Sequence, residues 1–179
     1  KPTPHASELS DVAADILARM RAKSPRVHCI TNAVAQNFTA NVLLAAGAAG
    51  GMAAVCATEQ YPAGLGPTVA ELAGHSQNVV AKTRFSGVAD PTLLPPTARE
   101  VVVTGVEAHV CVLQTVAELL ESEHRVVVVA DAVGSRDPAD RDAALERMRG
   151  HGAEVVTSEM VLFEWLRDST HPRFREVQK

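Results

Sequence analysis

A cysteine that follows a buried strand and opens the next helix stands where an α/β protein would place a nucleophile. Cys111 has that position, at the end of Gly105-Val106-Glu107-Ala108-His109-Val110-Cys111. A thiol in a helical first turn meets N–H groups without helical partners and the positive end of the helix dipole, both of which favour thiolate. The same N–H groups can hold an oxyanion. A lone cysteine is also readily a small buried hydrophobe, and position alone leaves these two readings even. Lys82 adds weight to the nucleophile. It follows the short apolar run 79–81 and so can project from the same sheet edge, where its cation would stabilise a thiolate. On spacing alone it also suits an ordinary solvated lysine. A cysteine amidohydrolase further needs a carboxylate near the thiol, to take its proton and pass it to the leaving amine.

The elements that must position these residues follow from patterning. Residues 100–104 hold three consecutive valines and 125–130 hold four, the mark of strands buried on both faces. Residues 108–120 form a predicted helix with apolar Val112, Leu113, Val116, Leu119 and Leu120. Pro138 opens a helix to Arg149, residues 154–157 make a last strand, and 158–166 a closing helix. In the first half, Ser10 caps a helix that presents Val12, Ile16 and Met20. A strand at 26–31, a helix at 36–46, a strand at 52–57 and a strand at 79–81 follow. Pro62, Gly64, Gly66 and Pro67 predict an irregular loop over 61–68. Alternating strands and helices imply an α/β domain whose parallel sheet is covered on both faces, with ligands at the carboxyl ends of the strands.

The chain has 179 residues, 46% of them hydrophobic, which suits a single domain over 1–179. A formal charge of −4 provides no basic surplus for nucleic acid or an anionic membrane, so neither is an expected partner. Three cysteines, at 29, 56 and 111, form no C-x-x-C pair and fit a reducing, cytoplasmic setting. No run approaches the roughly 20 apolar residues of a membrane span, and residues 1–10 lack the apolar core of a signal peptide. With aromatics at 3%, the core must be built from Val, Leu and Ala.

A set of local motifs carries a resemblance. Thr58-Glu59-Gln60-Tyr61-Pro62, Gly64-Leu65-Gly66-Pro67-Thr68-Val69, Lys82-Thr83 with Phe85-Ser86, and Gly105-Val106-Glu107-Ala108 with Cys111 are its first half. Asp131-Ala132 with Ser135-Arg136, Thr157-Ser158-Glu159, and His171-Pro172 with Phe174 complete it. Together they resemble isochorismatase-like cysteine hydrolases, the branch of isochorismatase-domain-containing proteins above all, over residues 57–179. The resemblance implies a three-layer α/β/α fold with a six-stranded parallel sheet, and a catalytic set of Asp, Lys and Cys. Cys111 matches the nucleophile and Lys82 the lysine that favours its thiolate. The family's strained turn, often with a cis peptide, falls at Val106-Glu107, with Ala108 and Cys111 N–H groups as the oxyanion hole. Asn32, Glu59, Gln60, Tyr61 and Phe85 are candidate substrate-pocket residues. The nicotinamidase branch carries a metal-binding Asp-x-His where this chain has Thr58-Glu59-Gln60, so no metal or other cofactor is expected.

The family takes its aspartate from the end of the first strand, and no acidic residue stands between Asp15 and Glu59. Thr31, Asn32 and Gln36 can fill the space, but none is a carboxylate base. A second resemblance accounts for the gap. Val27-His28-Cys29-Ile30-Thr31-Asn32, Asn37-Phe38-Thr39-Ala40-Asn41 and Leu43-Leu44-Ala45 with Gly47-Ala48 and Met52 resemble the N-terminal segment of hydroxyethylthiazole kinases, over about 9–54. In those kinases the matching positions, here Asn32 and Met52, contribute to the thiazole alcohol pocket. Their Gly-rich phosphate loop has no counterpart here, which argues against kinase activity. The chain thus reads as a mosaic in which one βα segment has replaced another.

The remaining residues have plainer readings. His28, His75, His109 and His151 lack ligand spacing and suit solvated or core positions. Asp137, Asp140, Arg141 and Asp142 suit a solvated helix start, and Phe163 and Trp165 suit core or subunit contact. Residues 160–163, Met-Val-Leu-Phe, are a candidate contact in a homo-oligomer. The expected function is a metal-free cysteine hydrolase acting on a small molecule with an amide or related C–N bond. A catalytically impaired scaffold is the alternative.

Overall fold

The structure, a computed structural model, describes residues 26–31, 55–68, 76, 78–88, 90–170 and 174–177, with the backbone alone at 26–31 and 176–177. The strands are β1 (Arg26–Thr31), β2 (Val55–Gln60), β3 (Asn78–Lys82), β4 (Glu100–Val106), β5 (Arg125–Gly134) and β6 (Glu154–Val156). They are joined in parallel in the order β3-β2-β1-β4-β5-β6. The expected helices at 10–23 and 36–46, and the residues Asn32, Gln36, Met52, His75, His171 and Pro172, lie outside the described residues.

The valine runs build the two faces of the sheet by the period of two along a strand. Val101 and Val103 of β4 and Val126 and Val128 of β5 face one side. There they pack against α2 (Leu113–Glu121) and α3 (Pro138–Gly150), through Val116, Leu119, Ala144 and Met148. The alternate residues Val102, Val127 and Val129 pack on the other side against Val161, Trp165 and Leu166 of α4 (Ser158–Leu166). Helices therefore cover both faces of a parallel sheet, as the patterning implies. A last short helix, α5 (Phe174–Val177), sets Phe174 edge-on to Phe163, with ring centroids 5.7 Å apart. Trp165 and Val161 are core residues, which leaves Met160 as the most exposed residue of the apolar run 160–163.

Several boundaries depart from the patterning. β2 runs from Val55 to Gln60, three residues beyond the predicted end at Ala57, because polar Thr58 and Gln60 find buried partners there. The segment predicted as irregular contains α1 (Pro62–Leu65), a single turn. Pro62 suits the first helical position, and Gly66, at φ 87°, closes the turn by donating its N–H to Pro62 O. The helix predicted from Ala108 begins as a π-helical turn, Ala108–Val112, before α2 continues it. β5 extends to Gly134 and carries extra residues opposite β4, since Val103 pairs with Val128 but Gly105 with Val133. Arg141 is not simply solvated: its guanidinium donates to Ala130 O at 2.6 Å and Val133 O at 3.3 Å, at the irregular stretch of β5. Asp137 caps α3 by accepting from Ala139 N at 2.8 Å. Among the described residues no helix is long and apolar enough to cross a membrane.

Candidate active site

Parallel strands deliver Gln60, Lys82 and the turn after β4 to one edge of the sheet, the carboxyl edge. Gln60 ends β2 and Lys82 ends β3, and the two are in register. Cys56, four residues before Gln60, and Val80, two before Lys82, belong to the core under α2, so Gln60 and Lys82 point to the helix that carries Cys111 at its start. The side chains meet. Lys82 Nζ donates to Gln60 Oε1 at 2.6 Å, and Cys111 Sγ lies 3.8 Å from the same oxygen. Gln60 Nε2 donates to Thr83 O at 2.9 Å, so both ends of the amide are held and its orientation follows from its partners.

All three groups are buried, with Cys111 at 5%, Lys82 at 8% and Gln60 at 8% exposure. A buried ammonium is tolerated only where oxygen atoms replace its water. Besides Gln60, Phe85 O at 2.6 Å and Arg84 O at 3.1 Å do so for Lys82. Lys82 is thus no solvated lysine.

Burial pushes the Cys111 thiol above its ordinary range. The Lys82 charge and a backbone hydrogen bond from Glu107 pull it down, while the Glu107 carboxylate pushes it up. The position was expected to favour thiolate, and the lysine does act in that direction, but desolvation outweighs it. The π turn gives Glu107 O two donors, of which an α turn would leave Val110 N open. Val110 N and Val112 N both donate to Glu107 O, at 3.2 and 3.1 Å.

The Val106-Glu107 peptide bond is cis, at the turn between β4 and the π turn, and Ala108 is fully buried behind it. The Glu107 side chain accepts from Arg136 N at 3.0 Å and lies 3.8 Å from His109 Nδ1. His109 Nδ1 is 2.9 Å from Ser135 Oγ, and its Nε2 is 3.6 Å from Asp140 Oδ2. Glu59 points away from Gln60 along β2, and its Oε1 accepts from Thr68 N at 2.7 Å, which ties down the chain after α1. Tyr61 and Phe85 project into solvent at 57% and 50% exposure. The Phe85 carbonyl, not its ring, takes part in the cluster. Asn32 lies outside the described residues. β1 ends at Thr31, in register with Thr58 and Gly105, between the strands that carry Gln60 and the cis turn.

The sequence motifs did not expose a second layer. Thr115 Oγ1 donates to Cys111 O at 2.7 Å and accepts from Gly87 N at 2.8 Å, and Ser86 Oγ donates to Glu118 Oε2 at 2.7 Å. Ser86 lies within one of those motifs, whereas for Thr115 and Glu118 the only signal was position, about one and two turns beyond Cys111 on the same helix face.

Comparison with known proteins gives the family of the chain. Residues 1–160 match the Isochorismatase domain. Isochorismatase domain-containing protein 2 of Bos taurus is 46% identical over 125 residues, covering 68% of this chain and 61% of its own length. The Homo sapiens protein of the same name is 45% identical over 130 residues, covering 70% of this chain and 62% of its own. The chain therefore spans about three fifths of the length of these relatives. The solved structure of MAR1 ribonuclease from Caenorhabditis elegans superposes with a TM-score of 0.71 at 32% identity, covering 87% of this chain and 88% of that one. By the extent of the domain match and its identity to these relatives, the chain belongs to the isochorismatase family.

Proposed function

We propose that the chain is a metal-free cysteine hydrolase of isochorismatase-like type that cleaves a small amide or related C–N bond. The observation that carries the reading is the buried Cys111–Gln60–Lys82 cluster at the carboxyl edge of the sheet. In the proposed reaction Cys111 Sγ bonds to the carbonyl carbon as the C–N bond breaks, and its proton leaves with the nitrogen. Water then displaces sulfur from the thioester, releasing a carboxylic acid and restoring the thiol. The Ala108 and Cys111 N–H groups are the proposed oxyanion donors beside the Val106-Glu107 turn. Lys82 lowers the cost of thiolate in a buried setting that otherwise opposes it. Gln60 sits where the nicotinamidase branch would place a metal-binding histidine, and its oxygen is engaged by the Lys82 ammonium, which supports the metal-free reading. Under this reading the sheet has the family's six strands, the protein is cytoplasmic, and exposed Tyr61, Leu65, Phe85 and Met160 belong to contacts in a homo-oligomer.

A second reading, a catalytically impaired scaffold, rests on the absence of any acidic residue between Asp15 and Glu59 and on a neutral amide beside the thiol. One experiment separates the two. The protein and its Cys111→Ala variant are incubated with a panel of small amides, with single-stranded RNA, and with ATP plus hydroxyethylthiazole. Acyl adduct on Cys111 and amide turnover lost in Cys111→Ala are the expected results. Alkylation of Cys111 without turnover of any substrate would favour the scaffold. Cleavage of RNA, the activity named for the C. elegans neighbour, or phosphorylation of the thiazole would overturn the amide reading.

A further inference from the structure

We infer that Glu118 is a positioning residue for Lys82, acting through Ser86 and the loop 83–87 rather than through its own charge on the thiol. The inference rests on the proposed role of Lys82 at Cys111. Two oxygens placed on Lys82 Nζ besides that of Gln60 are carbonyls of residues that follow it, Arg84 and Phe85. For both to reach back to Nζ, the chain must fold over the ammonium immediately after β3 and be held there.

The hold comes from α2. Ser86, 2% exposed, donates its hydroxyl to Glu118 Oε2 at 2.7 Å, and Gly87 N donates to Thr115 Oγ1 at 2.8 Å. Thr115 in turn donates to Cys111 O at 2.7 Å, so the helix that carries the thiol also sets the loop that holds the lysine. The approach is close. A Cβ at Gly87 would stand 3.2 Å from Thr58 Cγ2, 3.4 Å from Leu93 Cδ2 and 3.5 Å from Thr115 Oγ1. Arg84 reaches Glu118 Oε1 at 3.5 Å from the solvent side, with its side chain 71% exposed, so the hydroxyl of Ser86 is the buried half of the clamp.

The sign of the effect separates positioning from direct electrostatics. Among the described residues the charged groups acting on Cys111 are Lys82, which favours thiolate, and Glu107, which opposes it. If Glu118 acted by its own charge, removing it would ease thiolate formation. If it acts by holding the loop over Lys82, removing it lets the ammonium stray and makes thiolate harder to form. The test is the pH profile of iodoacetamide alkylation at Cys111, read by peptide mass spectrometry, in wild type, Lys82→Met, Glu118→Ala, Glu118→Gln, Ser86→Ala and Lys82→Met/Glu118→Ala. Glu118→Ala is expected to move the midpoint up by about one unit, or roughly tenfold less thiolate at fixed pH. Ser86→Ala, which changes no charge, moves it the same way, and Glu118→Gln, which keeps an acceptor for Ser86, restores most of it. In the Lys82→Met background Glu118→Ala adds nothing. A downward shift in Glu118→Ala, no shift in Ser86→Ala, or an undiminished shift without Lys82 overturns the inference. A Lys82→Met profile equal to wild type overturns instead the underlying role of Lys82.

Discussion

Gln60 and Lys82 are register partners on β2 and β3, and the 2.6 Å hydrogen bond between their side chains places a neutral amide oxygen 3.8 Å from Cys111 Sγ. The cluster is therefore held by an acceptor that cannot itself take the thiol's proton. Its ammonium is buried and tied to oxygens on two segments of chain, β2 and the loop after β3.

Replacing Gln60 by Leu removes one oxygen from a buried ammonium and the acceptor beside the thiol. The expected cost is about 1–3 kcal/mol, the range for a buried polar group left short of a partner. Urea denaturation of wild type and Gln60→Leu measures it; an unchanged midpoint would mean that Lys82 is satisfied without Gln60.

Cys56 and Cys111 both have thiols pushed up by burial, which fixes the sign of a pH effect on stability. Their protons are held more tightly in the folded chain than in the unfolded one. The stability they contribute is thus fully present below the ordinary thiol range near about 8.5 and is lost as pH rises towards their folded values. Unfolding free energy measured from pH 7 upward is expected to fall through this window, and less steeply in Cys56→Ala. A flat profile would contradict the burial of both sulfurs.

Gly87→Ala introduces a methyl 3.2 Å from Thr58 Cγ2 at the point where the loop meets α2. Overpacking there is expected to cost about 1–3 kcal/mol. It should also slow alkylation of Cys111 at neutral pH, because the loop that carries the lysine's carbonyl partners must shift. Thermal melting and the alkylation rate, measured together, test it; loss of stability with an unaltered rate would uncouple the loop from the thiol.

At the opposite edge of the sheet Arg125 joins three strands, donating to Glu100 Oε2 at 2.6 Å and forking onto Glu154 at 2.7 and 2.9 Å. Lysine keeps the charge but cannot fork. With the arginine side chain 55% exposed, Arg125→Lys is expected to cost about 0.5–1 kcal/mol, shrinking as salt is added. Equal stability of the two proteins at low salt would show that the fork contributes nothing.

The Val101–Val103 and Val126–Val129 runs make the sheet legible from sequence alone, because strands buried on both faces must be apolar at every position. The alternation of strand and helix then places Cys111 and Lys82 at the same edge, since parallel strands all end on one side. The family motifs point to the same residues. The sequence by itself thus determined the α/β class, the edge at which chemistry would gather, and two of the three clustered side chains as its principal candidates.

Gln60 was only a minor pocket candidate, because the apolar pattern ends at Ala57 and nothing local shows that β2 continues for three polar residues. Its place between Cys111 and Lys82 depends on the pairing of β2 with β3, a relation between residues 22 positions apart. The clamp from Glu118 to Ser86 spans 32 positions and left no trace in local patterning. Nor could sequence settle the state of the thiol. A helix start and a nearby lysine are local features and both favour thiolate, whereas desolvation depends on every layer packed over the sulfur. Here that packing outweighs the lysine, and only the folded chain contains it.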